Sequence, residues 1–228
     1  MKKAQISMFI IIGIILVIIV AFAYTFISSL NPSSKQDSGN VHSFVQGCLV
    51  KSGGDAVHIV TLRGGYLNPV QTITISSRDI TLLNSGNTNL VPDMDFVKLQ
   101  IESKSEELFT ECIDDFSAFQ GRFETGISKI TVDIYADSIS LMLDYPITIS
   151  HQDTMKTYNK FVATIDSINL PSVFAAAEHT VNDLIARKMY NLTLLKSLGI
   201  QTKAIDYKDA TIFDFNDNGI LHLVYAVK

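Results

Sequence analysis

Two hydrophobic periodicities alternate along the chain after residue 40. Apolar positions at three- and four-residue spacing predict helices over Val41–Leu62, Met94–Phe119 and Pro171–Leu198. Alternation of apolar and polar residues predicts strands over 70–76, 79–83, 129–135 and 138–150, and a hairpin over 210–227. Hairpins require antiparallel pairing. We therefore predict an α+β domain, with an antiparallel sheet and helices packed mainly on one of its faces.

One residue interrupts the clearest strand pattern. Pro146 lies inside the predicted strand 138–150. Proline has no backbone N–H to give to a strand ladder, so it is confined to edges and bulges. We expect a sheet edge or a β-bulge at this position.

The N-terminal segment has a different pattern. Met8–Ile27 is a nearly unbroken apolar run, and no charged side chain lies between Lys3 and Lys35. About 20 apolar residues are needed to span the hydrocarbon core of a bilayer, whereas a removable secretory signal has about 7 to 15. The run predicts a transmembrane helix over residues 5–30, with the membrane contacted by residues 6–30.

The basic residues give the orientation of this helix. Lys2 and Lys3 precede it and keep the N-terminus in the cytoplasm, so the C-terminal part of the chain is expected outside. Residues 31–40, NPSSKQDSGN, have the composition of a linker. The predicted organisation is a single-pass protein of the cell membrane, with an extracytoplasmic α+β domain over 41–228.

The sequence Lys2-Lys3-Ala4-Gln5, followed by Ile6-Ser7-Met8 and a long apolar helix, resembles the class III signal peptide of archaeal type IV pilin-like proteins. The resemblance covers about 30 residues and implies that residues 1–4 are a leader, cleaved between Ala4 and Gln5. The helix would then remain in the mature protein. The rest of the chain resembles uncharacterised archaeal surface proteins.

Two positions depart from the pilin pattern. Phe9 stands at the fifth position after the implied cut, where a typical pilin has Glu, and Asn31-Pro32 interrupts the helix before the exterior domain. These departures disfavour a major filament subunit. They fit a minor, tip or initiating subunit, or a surface protein that only uses the same export route. The resemblance implies assembly with copies of the same chain or with other pilin-like subunits.

Charge narrows the range of partners. The chain has 18 basic and 23 acidic residues, a formal net charge of −5, and no cluster of basic residues. Nucleic-acid binding needs a basic surface, so we predict no nucleic-acid partner.

Cys48 and Cys112 each lie on the apolar face of a predicted helix. In an oxidising exterior they would form a disulfide between two helices. The alternative is a pair of buried thiols that act as small hydrophobic side chains. The sequence leaves both interpretations open.

Three further groups of residues are candidate sites. Asp214, Asn216 and Asn218, followed by Gly219, match the first half of a calcium loop, but Tyr225 stands where the closing Glu should be, and a plain hairpin turn explains the same residues. Arg63 and Tyr66 form a candidate recognition loop or simply the end of a helix. Asn191 opens the glycosylation sequon Asn191-Leu192-Thr193 inside the predicted helix, and its use requires that Asn191 be exposed.

No motif for catalysis, zinc binding or phosphate binding is present, and the five His residues lack paired-ligand spacing. We predict no cofactor, with calcium as the one alternative, and no enzymatic activity. The predicted function is a pilin-like structural or assembly subunit. The alternatives are a monomeric anchored module for adhesion or partner binding, and an anchored exterior hydrolase.

Overall fold

A computed structural model describes residues 41–117, 119–151, 154–197, 199–217 and 221–228. The predicted leader, transmembrane helix and linker lie outside these residues, as does Asn218. The described chain is an α+β domain with antiparallel sheets, which confirms the predicted fold class.

Two long helices pack against each other as an antiparallel pair. Helix α1 spans Val41–Leu62, as its periodicity predicts, and helix α2 spans Met94–Ile113. The end of α1 meets the start of α2, since the ring centroids of Tyr66 and Phe96 lie 5.1 Å apart. The start of α1 meets the end of α2, where the Cα atoms of Cys48 and Cys112 lie 5.7 Å apart.

The ends of these helices follow from local backbone chemistry. Gly64 and Gly65 have φ angles of 64° and 94°, and this left-handed conformation, which glycine adopts at no steric cost, stops α1 as predicted. Asp93 caps α2 by accepting a hydrogen bond from the Phe96 N–H at 2.7 Å. The prediction that α2 runs to Phe119 is wrong, because Asp114 turns left-handed and a single 3₁₀ turn follows over Asp114–Phe116.

The larger sheet is built around one long central strand, β7. Strand β7 (Ser138–His151) pairs with β8 (Thr154–Asp166) on one side, and with β6 (Lys129–Ile134) and β5 (Arg122–Thr125) on the other. Every pairing is antiparallel. The β7–β8 register shifts between Asp144 and Ile147, which confirms a bulge at Pro146. Strands β5 and β8 were not among the strands predicted from the sequence.

The two faces of this sheet have opposite character. On β7, the alternating apolar side chains are all buried, as predicted: Ile139, Leu141, Leu143, Tyr145, Ile147 and Ile149. Helices α1 and α2 cover this face, with Gly53 of α1 directly over Leu141 and the ring of Phe109 on α2 5.8 Å from that of Tyr145. The opposite face of β8 is exposed at Val162 and Thr164.

Carboxylates of α2 cover the free edge of β6. The backbone N–H groups of Ile130 and Val132 donate to the side chains of Glu106 and Glu102 at 3.0 and 2.9 Å. Lys98, also on α2, forms a salt bridge of 3.1 Å with Asp133 of β6. These contacts satisfy donors that would otherwise be available to another strand.

A second sheet has the order β11–β10–β9, from Leu221–Val227, Ala210–Asp217 and Gln201–Tyr207. The predicted hairpin is confirmed in its two strands, β10 and β11. Small hairpins precede α2: β1 (Thr72–Ile75) with β2 (Arg78–Thr81), and β3 (Asn84–Ser85) with β4 (Thr88–Asn89). Helix α1 contacts β7 and β8 of the larger sheet and β11 of the second sheet, so one core joins the two sheets.

The third predicted helix is broken. Helix α3 spans Leu170–Arg187, with its first turn capped by the side chain of Asn169, and a short helix α4 follows over Leu192–Ser197. The prediction of one helix over Pro171–Leu198 is wrong because Lys188 takes a left-handed conformation, with φ of 56°. Hydrophobic residues continue past Lys188, so the periodicity alone did not show the break.

The close approach of α1 to β7 predicts different effects on stability for alanine at two neighbouring glycines, Gly53 and Gly54. A Cβ atom at Gly53 would lie 2.3 Å from Cδ1 of the buried Leu141, whereas one at Gly54 would contact nothing within 4 Å. Replacing a helical glycine by alanine where the methyl group meets no other atom gains about 1 kcal/mol, and overpacking a core costs about 1 to 3 kcal/mol. We expect Gly54→Ala to stabilise the domain and Gly53→Ala to be less stable than Gly54→Ala by about 1 to 3 kcal/mol. Denaturant unfolding measures both, and equal effects would contradict the described packing.

Tyr225 leads to a prediction about alkaline stability. Burial raises the pKa of Tyr225 well above its usual 10, and the nearby Thr180 hydroxyl offsets this only in part. Its hydroxyl makes no hydrogen bond of good geometry within the described chain. Because the folded pKa is the higher one, the stability that depends on the neutral phenol is complete below pH 10 and is lost as the pH rises towards the folded pKa.

We expect Tyr225→Phe to change stability by no more than about 1 kcal/mol at pH 7 and to lose less stability than the wild type at high pH. Between pH 7 and pH 11 the wild type should lose about 1.4 kcal/mol more unfolding free energy than Tyr225→Phe. The pKa of Tyr66 is also raised, by burial and then by the charge of Asp93, so some alkaline loss remains in the variant. Guanidinium unfolding at pH 7 and pH 11 measures this difference. Identical losses in the two proteins would contradict a raised pKa for Tyr225.

Candidate functional site

The structure joins Cys48 and Cys112 in the disulfide that the sequence left open. The sulfur atoms of Cys48 and Cys112 lie 2.11 Å apart and join α1 to α2, with 64 residues of separation along the chain. Cys48 is buried in the core and Cys112 is partly buried against it. Of the two interpretations that the sequence left open, the structure shows the bonded pair.

The Arg63 to Tyr66 loop is tied down by its own contacts. The Arg63 guanidinium donates to the carbonyl of Leu67 at 2.8 Å, and the Tyr66 hydroxyl donates to the carbonyl of Leu90 at 2.7 Å. The Thr81 hydroxyl also donates to the carbonyl of Arg63 at 2.7 Å. Both candidate recognition residues therefore make structural contacts at the end of α1, although Arg63 keeps an exposed side chain.

The candidate calcium residues lie on a strand. Asp214 and Asn216 are two residues apart on β10 and so face the same side of the second sheet. The Asp214 carboxylate lies 3.0 Å from Nδ1 of His222 on β11, and each of these side chains is about one-third exposed. Among the described residues, no group of three His, Cys, Asp or Glu side chains is arranged to hold a metal ion. The third candidate ligand, Asn218, lies outside the described residues.

Sequence reasoning missed the Asp214–His222 pair. Its signal was present in the predicted hairpin, because a short turn places residue 222 directly opposite residue 216 and next to residue 214. A carboxylate on Nδ1 orients an imidazole. The pair therefore holds an oriented imidazole at the surface of the second sheet.

Asn191 lies outside any helix, in the segment between α3 and α4. The prediction that it sits inside a long helix is wrong, because the left-handed conformation of Lys188 ends α3 before Asn191. Asn191 is exposed, and its side-chain oxygen accepts a hydrogen bond from the Thr193 N–H at 3.0 Å. This exposure meets the condition that the sequon requires, and glycosylation of Asn191 stays a prediction.

The structure adds a cleft that the sequence did not indicate. It has a volume of about 450 Å³ and lies where the end of α3 meets the β9–β10 turn and the end of β11. Leu184, Ile185 and Val227 are among its apolar lining residues. Its charged lining residues are Lys188, Asp206, Lys208, Asp209 and Lys228. Lys228 and Asp209 pair at 2.5 Å. The cleft has the size of a small-ligand site, and the Asp214–His222 pair does not line it.

The disulfide closes a long loop, and its removal should be costly. In the chain-entropy model, a bridge across 64 residues stabilises the folded state by about 4 kcal/mol relative to the unfolded chain. We expect the double variant Cys48→Ala with Cys112→Ala to lose about that free energy of unfolding. Dithiothreitol should destabilise the wild type and leave the double variant unchanged. Equal stabilities of the oxidised wild type and the variant would contradict a structural role for the bond.

Among the described residues, no helix is both long and apolar enough to span a lipid bilayer. The predicted membrane segment and the implied cleavage site between Ala4 and Gln5 lie outside those residues. Comparisons with known protein families, with curated proteins and with solved structures found no match for this chain.

Proposed function

We propose that this chain is a membrane-anchored surface protein whose described domain is displayed on the extracytoplasmic side, and that it acts as a structural or assembly subunit of the pilin-like kind. The observation that carries the proposal is the disulfide between α1 and α2. Disulfides persist in oxidising compartments outside the cytoplasm and are rare inside it. The bond therefore supports an exterior location for the domain.

The N-terminal sequence supports the same topology independently. Lys2 and Lys3 before the apolar run Met8–Ile27 favour a cytoplasmic N-terminus. A chain with this topology places residues 41–228 outside, where Cys48 and Cys112 can be oxidised. The basic residues at the N-terminus and the oxidised cysteine pair therefore support the same location for the domain.

The position of α1 supports a structural role. It follows directly on the predicted linker, it is bonded to α2, and it contacts strands of both sheets. A force applied through the N-terminal segment would therefore enter the element on which the core is built. An anchored subunit that bears load or assembles through its N-terminal segment needs this kind of connection.

The cleft favours the second candidate, an anchored binding module. Three lysines against two aspartates, beside an apolar wall, suit a small ligand that carries an acidic group on an apolar body. The exterior hydrolase has less support, because within the described residues the His222–Asp214 pair lies apart from the cleft. We keep assembly as the first candidate because the N-terminal resemblance bears on it directly.

The mass of the N-terminus in protein recovered from its native membrane tests the assembly role. A chain that begins at Gln5 would have been processed by a pilin-type peptidase, as the resemblance implies. A chain that begins at Met1 would carry a plain signal anchor, and the binding module would then replace the assembly subunit as the proposed function.

Thiol labelling of the full-length chain in its native cells tests the compartment. Cells are quenched in acid, and the protein is unfolded and treated with maleimide-polyethylene glycol, with and without prior reduction. We expect no label before reduction and two labels after it, because both cysteines are bonded in the exterior domain. The double cysteine variant controls for labelling elsewhere. Two labels without reduction would place the domain in a reducing compartment and overturn the proposal.

A further inference from the structure

Strand β8 is an open edge of the larger sheet. It pairs with β7, and no other described strand pairs with it. The carbonyl of Val162 accepts a hydrogen bond from the Gln46 side chain at 3.0 Å, so it points away from β7. Backbone direction alternates along a strand, so the N–H and C=O groups of Lys160, Thr164 and Asp166 point the same way. A second strand added here would find regularly spaced donors and acceptors.

The β6 and β8 edges of the sheet differ in how many of their outward backbone groups bind helix side chains. At β6, carboxylates of α2 accept from the outward N–H groups of Ile130 and Val132. At β8, the Gln46 amide meets one outward carbonyl. Helix α2 therefore protects the β6 edge from strand addition, while α1 leaves most of the β8 edge accessible.

The residues of this edge are complementary to themselves. In an antiparallel pair of two β8 strands with Ala163 on the twofold axis, Lys160 lies opposite Asp166 and Val162 lies opposite Thr164. On the other face, Phe161 lies opposite Ile165. The outward-pointing residues meet as hydrogen-bonded pairs in this register. A shift of the axis by one residue in either direction removes both Lys160–Asp166 pairs.

The exposure of these residues fits such a contact. The side chain of Lys160 is 68% exposed and lies 3.7 Å from Asp144, a distance that leaves it available to a closer partner. Val162 is 52% exposed, and Met142, its neighbour across the β7–β8 ladder, is also exposed. Pairing would cover this apolar pair, and cross-strand contacts of opposite charge stabilise antiparallel pairs.

We propose that residues Lys160–Asp166 of β8 bind the same residues of a second copy of this chain, in an antiparallel pair centred on Ala163. The two larger sheets then form one continuous sheet across the dimer. The Gln46 amide releases the Val162 carbonyl, and the N–H of Thr164 from the second copy takes its place. This interface rests on the geometry of the edge and does not depend on the N-terminal segment or on the proposed function.

Charge reversal tests the register in the full-length chain in detergent micelles, by sedimentation equilibrium. Lys160→Glu places two pairs of like charges at the interface, and so does Asp166→Lys. We expect each variant to raise the dimer dissociation constant about tenfold. The double variant Lys160→Glu with Asp166→Lys should return it to about the wild-type value, because opposite charges face each other again.

The rescue separates the interface from effects within one chain. Lys160→Glu also loses its contact with Asp144, and the second substitution cannot restore that contact. Lys129→Glu, an exposed reversal on the covered β6 edge, is the matched control and should leave association unchanged. All variants share the N-terminal segment, so association through that segment would not change between them.

Thr164→Pro gives a second, independent test. The Thr164 N–H points away from β7, so proline there removes no hydrogen bond of the fold but takes two donors from the dimer interface, one from each copy. We expect a folded chain, by circular dichroism and thermal unfolding, with association weakened at least about tenfold. A monomeric wild type, an extended peptide as the only occupant of the edge, or a double reversal without rescue would each overturn the proposal.

Discussion

The packing of the α1–α2 pair on the buried face of β7 is the contact on which the rest of the structure depends. The buried apolar side chains of β7 alternate with exposed or half-buried ones over its length, so one face must be covered. Gly53 lets α1 approach until its backbone lies against Leu141, and the disulfide holds α2 beside α1. Because α1 also contacts β11, the second sheet is fixed to the same helix. A change that moved α1 would therefore disturb both sheets.

The same helix pair decides how the edges of the larger sheet meet their surroundings. Strand edges expose unpaired backbone groups, which are a route to association or aggregation. Helix α2 reaches over the β6 edge with Glu102, Glu106 and Lys98, whereas α1 reaches the β8 edge with Gln46. The sheet consequently has an edge covered by α2 at β6 and an edge at β8 where α1 contacts one backbone carbonyl through Gln46. We propose that this protein assembles on a surface. Pairing at the β8 edge would fix the relative orientation of two domains, which the N-terminal segment alone does not do.

The residue types at the candidate sites did not by themselves indicate which contacts these residues make in the structure. Arg63 and Tyr66 are residues that often anchor interfaces, yet their polar atoms bind backbone carbonyls of the same domain. Asp214 and Asn216 have the spacing of calcium ligands, yet they lie on a strand, and Asp214 pairs with His222. In each case the residue types suggested a ligand, but the structure gives these side chains partners within the same domain. The cleft between α3 and the second sheet could not be read from the sequence, because its lining comes from segments far apart in the chain.

The sequence by itself determined the class of the fold, helix α1 to its last residue, strands β6 and β7 and the β10–β11 hairpin, and it restricted Pro146 to a sheet edge or a bulge. These features depend on local periodicity, on glycine and proline, or on alternation, and each is encoded within a few neighbouring residues. The tertiary structure decided the rest. Strand β8 has mixed polar and apolar residues without regular alternation, and it becomes a strand because β7 offers it a partner. The break at Lys188 lies within a continuing hydrophobic pattern, and the bond between Cys48 and Cys112 needed the antiparallel docking of two helices. Local propensity cannot fix such features, because their free energy comes from contacts between residues far apart along the chain.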